Sequence, residues 1–445
     1  MDTPIFDFVR SYAQSRARRL HMPGHKGVGP LGVEALDITE IDGADVLYHA
    51  DGIIQKSQQN AAALFGAGKT LYSTEGSSLA IRAMVALVAM AAGGHPRIAA
   101  GRNAHKVFMT ACALMDAQVD WLYPVEQGSL VFCEITADGL EAYLANREEK
   151  PHAVYITSPD YLGNVADIRG IAEVCRKYAV LLLVDNAHGA YLRFLPESRH
   201  PMDLGADLCC DSAHKTLPVL TGGAYLHISS KAPACIRDRA ESAMALFAST
   251  SPSYLILQSL DAANRYLAEG YRQKLADFAA SMDAMKFRLR EKGFCLMGDE
   301  PLKLTVYAKP YGYTGVELAQ ILVEKGLICE FSDPDYVVFM MTPENRPDDL
   351  RALEEALTAL PKKNPIAAVS LPESRPERKM SIRQALLAPR ERLPLEACRG
   401  RVLAEPTVSC PPAIPVVVCG EVLDDAALKR MAYYGIDFCD VVNIK

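Results

Sequence analysis

The chain has 445 residues, half of them hydrophobic, and a formal net charge of -7. That length predicts about two or three domains around a sizeable core and excludes a disordered chain. The negative balance, with no clustered basic stripe, excludes a nucleic-acid footprint.

The opening, MDTPIFDFVRSYAQSRARR, carries early acids and no apolar core of signal-peptide length. After an opening helix, residues 1 to about 60 read as an irregular arm suited to wrapping another surface, such as a partner subunit. His21 and His25 have the i, i+4 spacing of a metal pair, but Pro23 and Gly24 between them break a continuous helix, so no metal site is expected.

From Gln58 the pattern becomes regular. A short helix over 58–65 precedes LYSTEGSS, which leads into a helix over 77–92. The apolar stretch Leu79 to Gly94 is interrupted by Arg82 and falls short of a bilayer span, so no membrane partner is expected. Strands are predicted over 97–100, 121–123, 153–157 and 181–184, with helices over 104–115 and 171–178 between them. Strands separated by helices imply a mostly parallel α/β sheet covered on both faces, which binds ligands beyond the carboxyl ends of its strands.

A further strand over 206–210, another over 223–228, and helices over 232–246 and 254–292 follow. The style changes near Gly293 to Gly298. Strands over 303–307 and 336–341 and helices over 316–325 and 348–359 suggest a small α+β unit. Pro361 to Glu377 reads as a linker, and a short terminal region runs from Met380 to Lys445. The 12 cysteines form no CxxC pairs, which fits reduced thiols of a cytoplasmic protein better than disulfides or zinc.

The chemistry concentrates between Leu181 and Gly223. One apolar run stops at Asp185, and a second delivers Ser212, His214 and Lys215 before a Gly-rich turn. Pyridoxal phosphate needs a lysine for its Schiff base and a carboxylate for its pyridinium nitrogen. The plainer alternative is a strand ending in a capping Asp, followed by an unrelated surface Lys. Thr157, Ser158, Asp185, Ser212 and Lys215 all end or follow predicted strands, so one mouth can collect them. Gly76, Ser77 and Ser78 open a helix, where free N–H groups and the dipole favour a phosphate, although a simple cap is the alternative. His105 is open to two readings, a ring stacked on a heteroaromatic or a surface helix residue, and His188 follows Asp185 by three positions. No GxSxG elbow supports a Ser/His/Asp hydrolase, and no GxGxxG supports a nicotinamide cofactor.

HMPGHKG, STEGSS, GRNAHK, TSPDYLGN, DNAHGAY, DSAHKT, STSPSY and GRVLAE…PPAIPVVVCGE occur in the order seen in the Orn/Lys/Arg decarboxylase family. The chain resembles the shorter bacterial form, without an N-terminal wing domain, over nearly its full length. The resemblance implies a fold-type-I pyridoxal 5'-phosphate enzyme of the aspartate aminotransferase type. Its divisions would be an arm (1–60), a large cofactor-binding domain (61–295), a small α+β domain (296–362), a linker (363–377) and a C-terminal domain (378–445). It implies that Lys215 holds the cofactor as a Schiff base, Asp185 pairs with the pyridinium nitrogen and His105 stacks on the ring. Gly76, Ser77, Ser78, Ser212 and His214 would bind phosphate, and His188 would lie near the ring oxygen or the substrate carboxylate. Ser251, in STSPSY, would reach a neighbouring subunit's phosphate, which implies a homodimer with shared sites.

The implied reaction is α-decarboxylation of a basic amino acid through a quinonoid intermediate, with Lys215 or His214 reprotonating Cα, to an amine of the polyamine pathway. Arginine is favoured over lysine and ornithine on family frequency alone. Glu330 and Asp333 in CEFSDPD are candidates for the substrate's cationic end, or else a solvated Asp-Pro bend. Asp160, Ala50, Cys410 and Ala413 depart from the family pattern and bear on substrate rather than cofactor. An aminotransferase or aldolase of the same fold would share Asp185 and Lys215, and a non-catalytic relative would keep the fold alone.

Overall fold

The computed structural model describes residues 1–124, 133–406 and 414–443. In chain order its first seven strands are β1 (Lys69–Ser73), β2 (Arg97–Gly101), β3 (Gln118–Leu122), β4 (Ala153–Thr157), β5 (Leu181–Asp185), β6 (Leu208–Asp211) and β7 (Ala224–Ile228). The chain folds into two compact units. The first comprises Met1–Gly94, Leu140–Ser158 and Asp167–Ala276, and the second comprises His95–Gly139, Pro159–Ala166 and Asp277–Lys445.

In the first unit the strands lie in the order β1-β7-β6-β5-β4. β5 runs parallel to β4 and β6, and β7 runs antiparallel to β6 and β1. β2 and β3, in the second unit, form another parallel pair, so the central sheet is mostly parallel, as expected. β4 (AVYIT) and β5 (LLLVD) are apolar along both faces because both faces are covered. The helix Gly76–Ala91 buries every residue from Leu79 to Ala89 except Arg82 and packs on β1, β6 and β7. The helix Ile168–Lys177 is amphipathic and packs on β5. Its first turn is fixed by Asp167, which accepts from the Gly170 N–H at 3.0 Å.

Two helical expectations are corrected. The stretch 254–292 is two helices, Tyr254–Ala268 and Tyr271–Glu291, because Gly270 between them takes φ +82. The stretch 232–246 is likewise divided, into Ala234–Arg237 and Ala240–Ala245. In the N-terminal arm, the helix Pro4–Gln14 packs on its own chain, against helices Ile53–Phe65 and Tyr254–Ala268. Leu20, Met22, Val28 and Leu31 beyond it are exposed. The two arm histidines have separate partners: His21 Nε2 lies 2.6 Å from the Tyr12 hydroxyl and His25 Nε2 lies 3.1 Å from Asp37.

The second unit adds an antiparallel sheet from β8 (Cys295–Met297), β9 (Lys303–Tyr307), β10 (Phe331–Ser332) and β11 (Tyr336–Met340), in the order β10-β11-β9-β8. Leu304, Val306, Val337 and Phe339 meet Leu318, Leu322, Leu353 and Leu357 in its core. A terminal pair, β12 (Arg390–Pro394) and β13 (Phe438–Val442), covers a separate core of Leu403, Leu423, Met431 and Val441. Every cysteine among the described residues is a free thiol, and most are buried. No described helix is long and apolar enough to cross a membrane.

Asp261, fully buried on helix Tyr254–Ala268, accepts from the Ile5 and Phe6 N–H groups at 2.8 and 2.9 Å and from the Ser57 hydroxyl. Burial pushes its carboxyl from 3.8 up to about 6, against the pull of these donors. The folded chain therefore holds this proton more tightly than the unfolded one. The resulting stabilisation is complete below about pH 4 and is lost as pH rises through about 6. Asp261→Asn keeps an oxygen for the two N–H groups and removes the titration. Urea unfolding of the variant is expected to show a loss of stability between these pH values that is shallower by on the order of 2 kcal/mol.

Candidate active site

The site grows from the ends of two adjacent strands. β5 ends at Asp185, which is buried and paired in register with Thr157 of β4 and Cys210 of β6. A carboxylate withdrawn from water must find donors. Tyr155 Oη donates to Oδ2 at 2.9 Å, while the Ala187 N–H and the Cys210 thiol donate to Oδ1 at 3.2 and 3.5 Å. These contacts fix the carboxylate's orientation at the strand's carboxyl end. Beside it the buried Thr157 Oγ1 has no hydrogen-bond partner among the described residues. His188 is also buried.

β6 runs through Asp211 into Ser212 and the short helix Ala213–Thr216, which carries His214 and the half-buried Lys215. Ser212 Oγ donates to Ser77 Oγ at 2.8 Å, joining this turn to the start of helix Gly76–Ala91. His214 Nδ1 lies 2.9 Å from the Gly223 carbonyl, so Nδ1 carries the proton and a neutral ring keeps its lone pair on Nε2. Burial holds His214 below the usual imidazole range; the Gly223 carbonyl opposes this and the Lys215 ammonium adds to it.

The helix start is shaped by two glycines. Gly76 takes φ +70 and donates its N–H to the Gly222 carbonyl at 2.7 Å. Gly222 takes φ +99, and a Cβ there would stand 2.8 Å from the Thr74 carbonyl oxygen. Glu75, the N-cap residue, makes no side-chain cap. Its carboxylate instead accepts from the Ser249 N–H at 2.8 Å. The next amides of the first turn and the Ser77 and Ser212 hydroxyls are donors of the kind that receive an anion, a candidate anion cradle. Ser251 lies in the same loop, its N–H donating to Ser249 Oγ at 3.1 Å. An anion cradle, an oriented carboxylate, a lysine and an orphaned threonine hydroxyl are a donor set that fits pyridoxal phosphate.

His105, Asp160, Glu330 and Asp333 belong to the second unit. His105 caps helix Lys106–Leu114, its Nδ1 accepting from the Val107 N–H at 3.2 Å. Glu330 is exposed and accepts from the Tyr161 hydroxyl at 3.0 Å. Asp333 is buried, and its Oδ1 accepts from the Asp335 and Tyr336 N–H groups, both at 2.7 Å. Burial pushes Asp333 up to about 6, against those two N–H groups. Asp160 folds back on its own loop, where Oδ1 accepts from the Leu162 and Asn164 N–H groups and Oδ2 from the Asn164 amide. Ala50, in the first unit, is half-buried, and its carbonyl accepts from the Gln55 amide. Cys410 and Ala413 lie outside the described residues. Sequence reasoning misses Tyr155, which looks like any core residue of a buried strand until the β4–β5 register sets it beside Asp185.

Comparison with known proteins bears on this arrangement. Residues 3–297 match the Orn/Lys/Arg decarboxylase major domain, and residues 366–437 match the C-terminal domain of the same family. The chain is 32% identical to an arginine decarboxylase of Bacillus subtilis, over 95% of this chain and 92% of that protein. It is 31% identical to an arginine decarboxylase of Halalkalibacterium halodurans, over 96% and 92% respectively. In three dimensions it is similar to a lysine decarboxylase of Francisella novicida, with a TM-score of 0.81 over 99% of this chain and 81% of that one at 18% identity. A serine palmitoyltransferase of Sphingomonas wittichii shares the fold more distantly, with a TM-score of 0.58 at 14% identity over 81% of this chain and 83% of that one.

Gly222→Ala tests the turn that seats the helix start. The substitution imposes positive φ on an L-residue and a clash with Thr74, so it is expected to destabilise the protein by more than about 1 kcal/mol, read as a lower urea midpoint at unchanged m-value.

Proposed function

The chain belongs to the Orn/Lys/Arg decarboxylase family and is a decarboxylase, and from that premise we propose that it removes the α-carboxylate of arginine using pyridoxal phosphate held by Lys215. What supports the reading is that Asp185 ends β5, that Ser212, His214 and Lys215 follow its parallel neighbour β6, and that Ser212 bonds Ser77 at the start of one helix. When bound, the cofactor supplies the electron sink for the electron pair released with CO2. The residues have separate tasks. Asp185 would offer an oriented carboxylate to the ring nitrogen, the candidate cradle would take the phosphate, and Lys215 would provide the amine that holds the cofactor. His105 would lie on the ring. Ser251 would serve a partner's phosphate in a homodimer, and a cytoplasmic setting fits the free thiols. Lys215, or His214 through its Nε2 lone pair, would return a proton to Cα.

Arginine is preferred among the basic amino acids because both relatives described above are named arginine decarboxylases. Its cationic end needs an anion. Asp333 spends Oδ1 on its own turn, whereas Glu330 is exposed and accepts from the Tyr161 hydroxyl, so Glu330 is the better candidate.

Incubation of the purified protein with arginine, lysine and ornithine in turn, followed by identification of the amine and CO2, tests the reading. The decarboxylated amine of arginine is expected in excess. Release of a keto acid or glycine would overturn it in favour of an aminotransferase or aldolase. Glu330→Gln is expected to raise KM for arginine about tenfold or more with a smaller change in kcat, and Asp333→Asn to change KM less.

A further inference from the structure

Behind the site lies a polar cluster that the proposed reaction does not use. Asp211, the last residue of β6, is fully buried with His200, His227, Cys209 and Asn186 around it. His200 Nε2 lies 2.9 Å and His227 Nε2 3.3 Å from Asp211 Oδ2, while the Asn186 amide donates to Oδ1 at 2.7 Å. The Cys209 thiol lies 3.5 Å from the same Oδ1. Ligand atoms of His200, Cys209 and Asp211 fall within 4.8 Å of one another, a spacing that would suit a cation. The protons assign them otherwise. The Met202 N–H donates to His200 Nδ1, which places the ring proton on Nε2, aimed at Asp211. On His227, Nδ1 faces the Thr70 hydroxyl at 2.8 Å and Nε2 faces Asp211. Burial holds His227 below the usual imidazole range, against the pull of Asp211. Burial would raise Asp211, but His200 and His227 outweigh it and keep the carboxyl well below its ordinary value. The result is a buried carboxylate clasped by N–H donors.

Its place in the chain gives the cluster a purpose. The backbone of Asp211 runs directly into Ser212, His214 and Lys215, while its side chain grips Asn186, the residue after Asp185. The two strands are still joined at Asn186, whose N–H donates to the Cys210 carbonyl at 3.0 Å. Beyond that the chain turns away through Gly189, where a Cβ would sit 2.0 Å from Asn186 Oδ1. The Asp211–Asn186 bond is thus a side-chain link between the segment bearing Asp185 and His188 and the segment bearing Ser212 and Lys215.

We propose that Asp211, held by His200 and His227, is a positioning residue that sets the separation of Asp185 from Lys215 through Asn186, and so governs how tightly pyridoxal phosphate is held. This rests on the cofactor reading given above. Pyridoxal phosphate is titrated into the apoprotein of the wild type, Asn186→Ala, Asp211→Asn and the double variant. The visible band gives the dissociation constant, and thermal unfolding of each apoprotein is recorded alongside. Each single variant is expected to weaken cofactor binding about tenfold or more, and the double variant to be no weaker than the worse single one, because both cut the same link. Unchanged dissociation constants with only a lower unfolding midpoint would reduce the cluster to a structural role and overturn the proposal, as would fully additive effects. Should Asp211→Asn fail to fold, Asn186→Ala, which leaves the histidine clasp intact, decides the matter by its dissociation constant alone. A wild type that develops no band would instead be the failure of the cofactor reading, and Lys215→Ala serves as its control by losing the band.

Discussion

Two neighbouring parallel strands, β5 and β6, each end in a buried carboxylate, and the arrangement of the site follows from satisfying both. Removing one such ion from water costs several kcal/mol unless donors surround it. The donors that meet Asp185 and Asp211 are hydroxyl, amide, thiol and imidazole groups drawn from separate elements. Those donors do more than neutralise a cost. They fix where the chain leaves each strand, and hence where Asp185 points and where Ser212, His214 and Lys215 begin.

The start of helix Gly76–Ala91 depends on a second constraint, the close approach of three backbone segments. Gly76 and Gly222 adopt conformations an L side chain resists, and their mutual hydrogen bond brings the start of helix Gly76–Ala91 to the turn before β7. Glu75 occupies the N-cap position of that helix, yet its carboxylate accepts from Ser249 rather than from the helix. Past the Gly76 amide, which is spent on Gly222, a helix start without a side-chain cap leaves first-turn amides and the positive end of its dipole unsatisfied by a cap. The Ser77–Ser212 contact then ties the start of this helix to the turn that carries Lys215.

Much of this is legible in the chain itself, and the omissions share a cause. Buried parallel strands announce themselves as short apolar runs, so the expected bounds of β4 and β5 agree with the structure to within a residue. β1 (KTLYS) and β12 (RERLP) mix polar and apolar residues and give no such signal. The helix pair around Gly270 reads as one because apolar spacing continues across it and only positive φ divides it. Within the candidate site, DNAHGAY and DSAHKT contain the residues that end β5 and follow β6. Tyr155 and His227, by contrast, lie inside the apolar runs AVYIT and AYLHI. Their roles come from register with β5 and β6, a non-local fact that no local pattern encodes. Asp160 stands out by its type, yet its carboxylate spends itself on its own loop, and burial, against those loop donors, pushes it up to about 6.

The central claim, a covalent bond between one lysine and the cofactor beside Asp185, is tested most directly by borohydride reduction of the pyridoxal-phosphate-loaded protein followed by peptide mass mapping. The account predicts a single reduced adduct, on Lys215. An adduct on another lysine, or none after full loading, would contradict it.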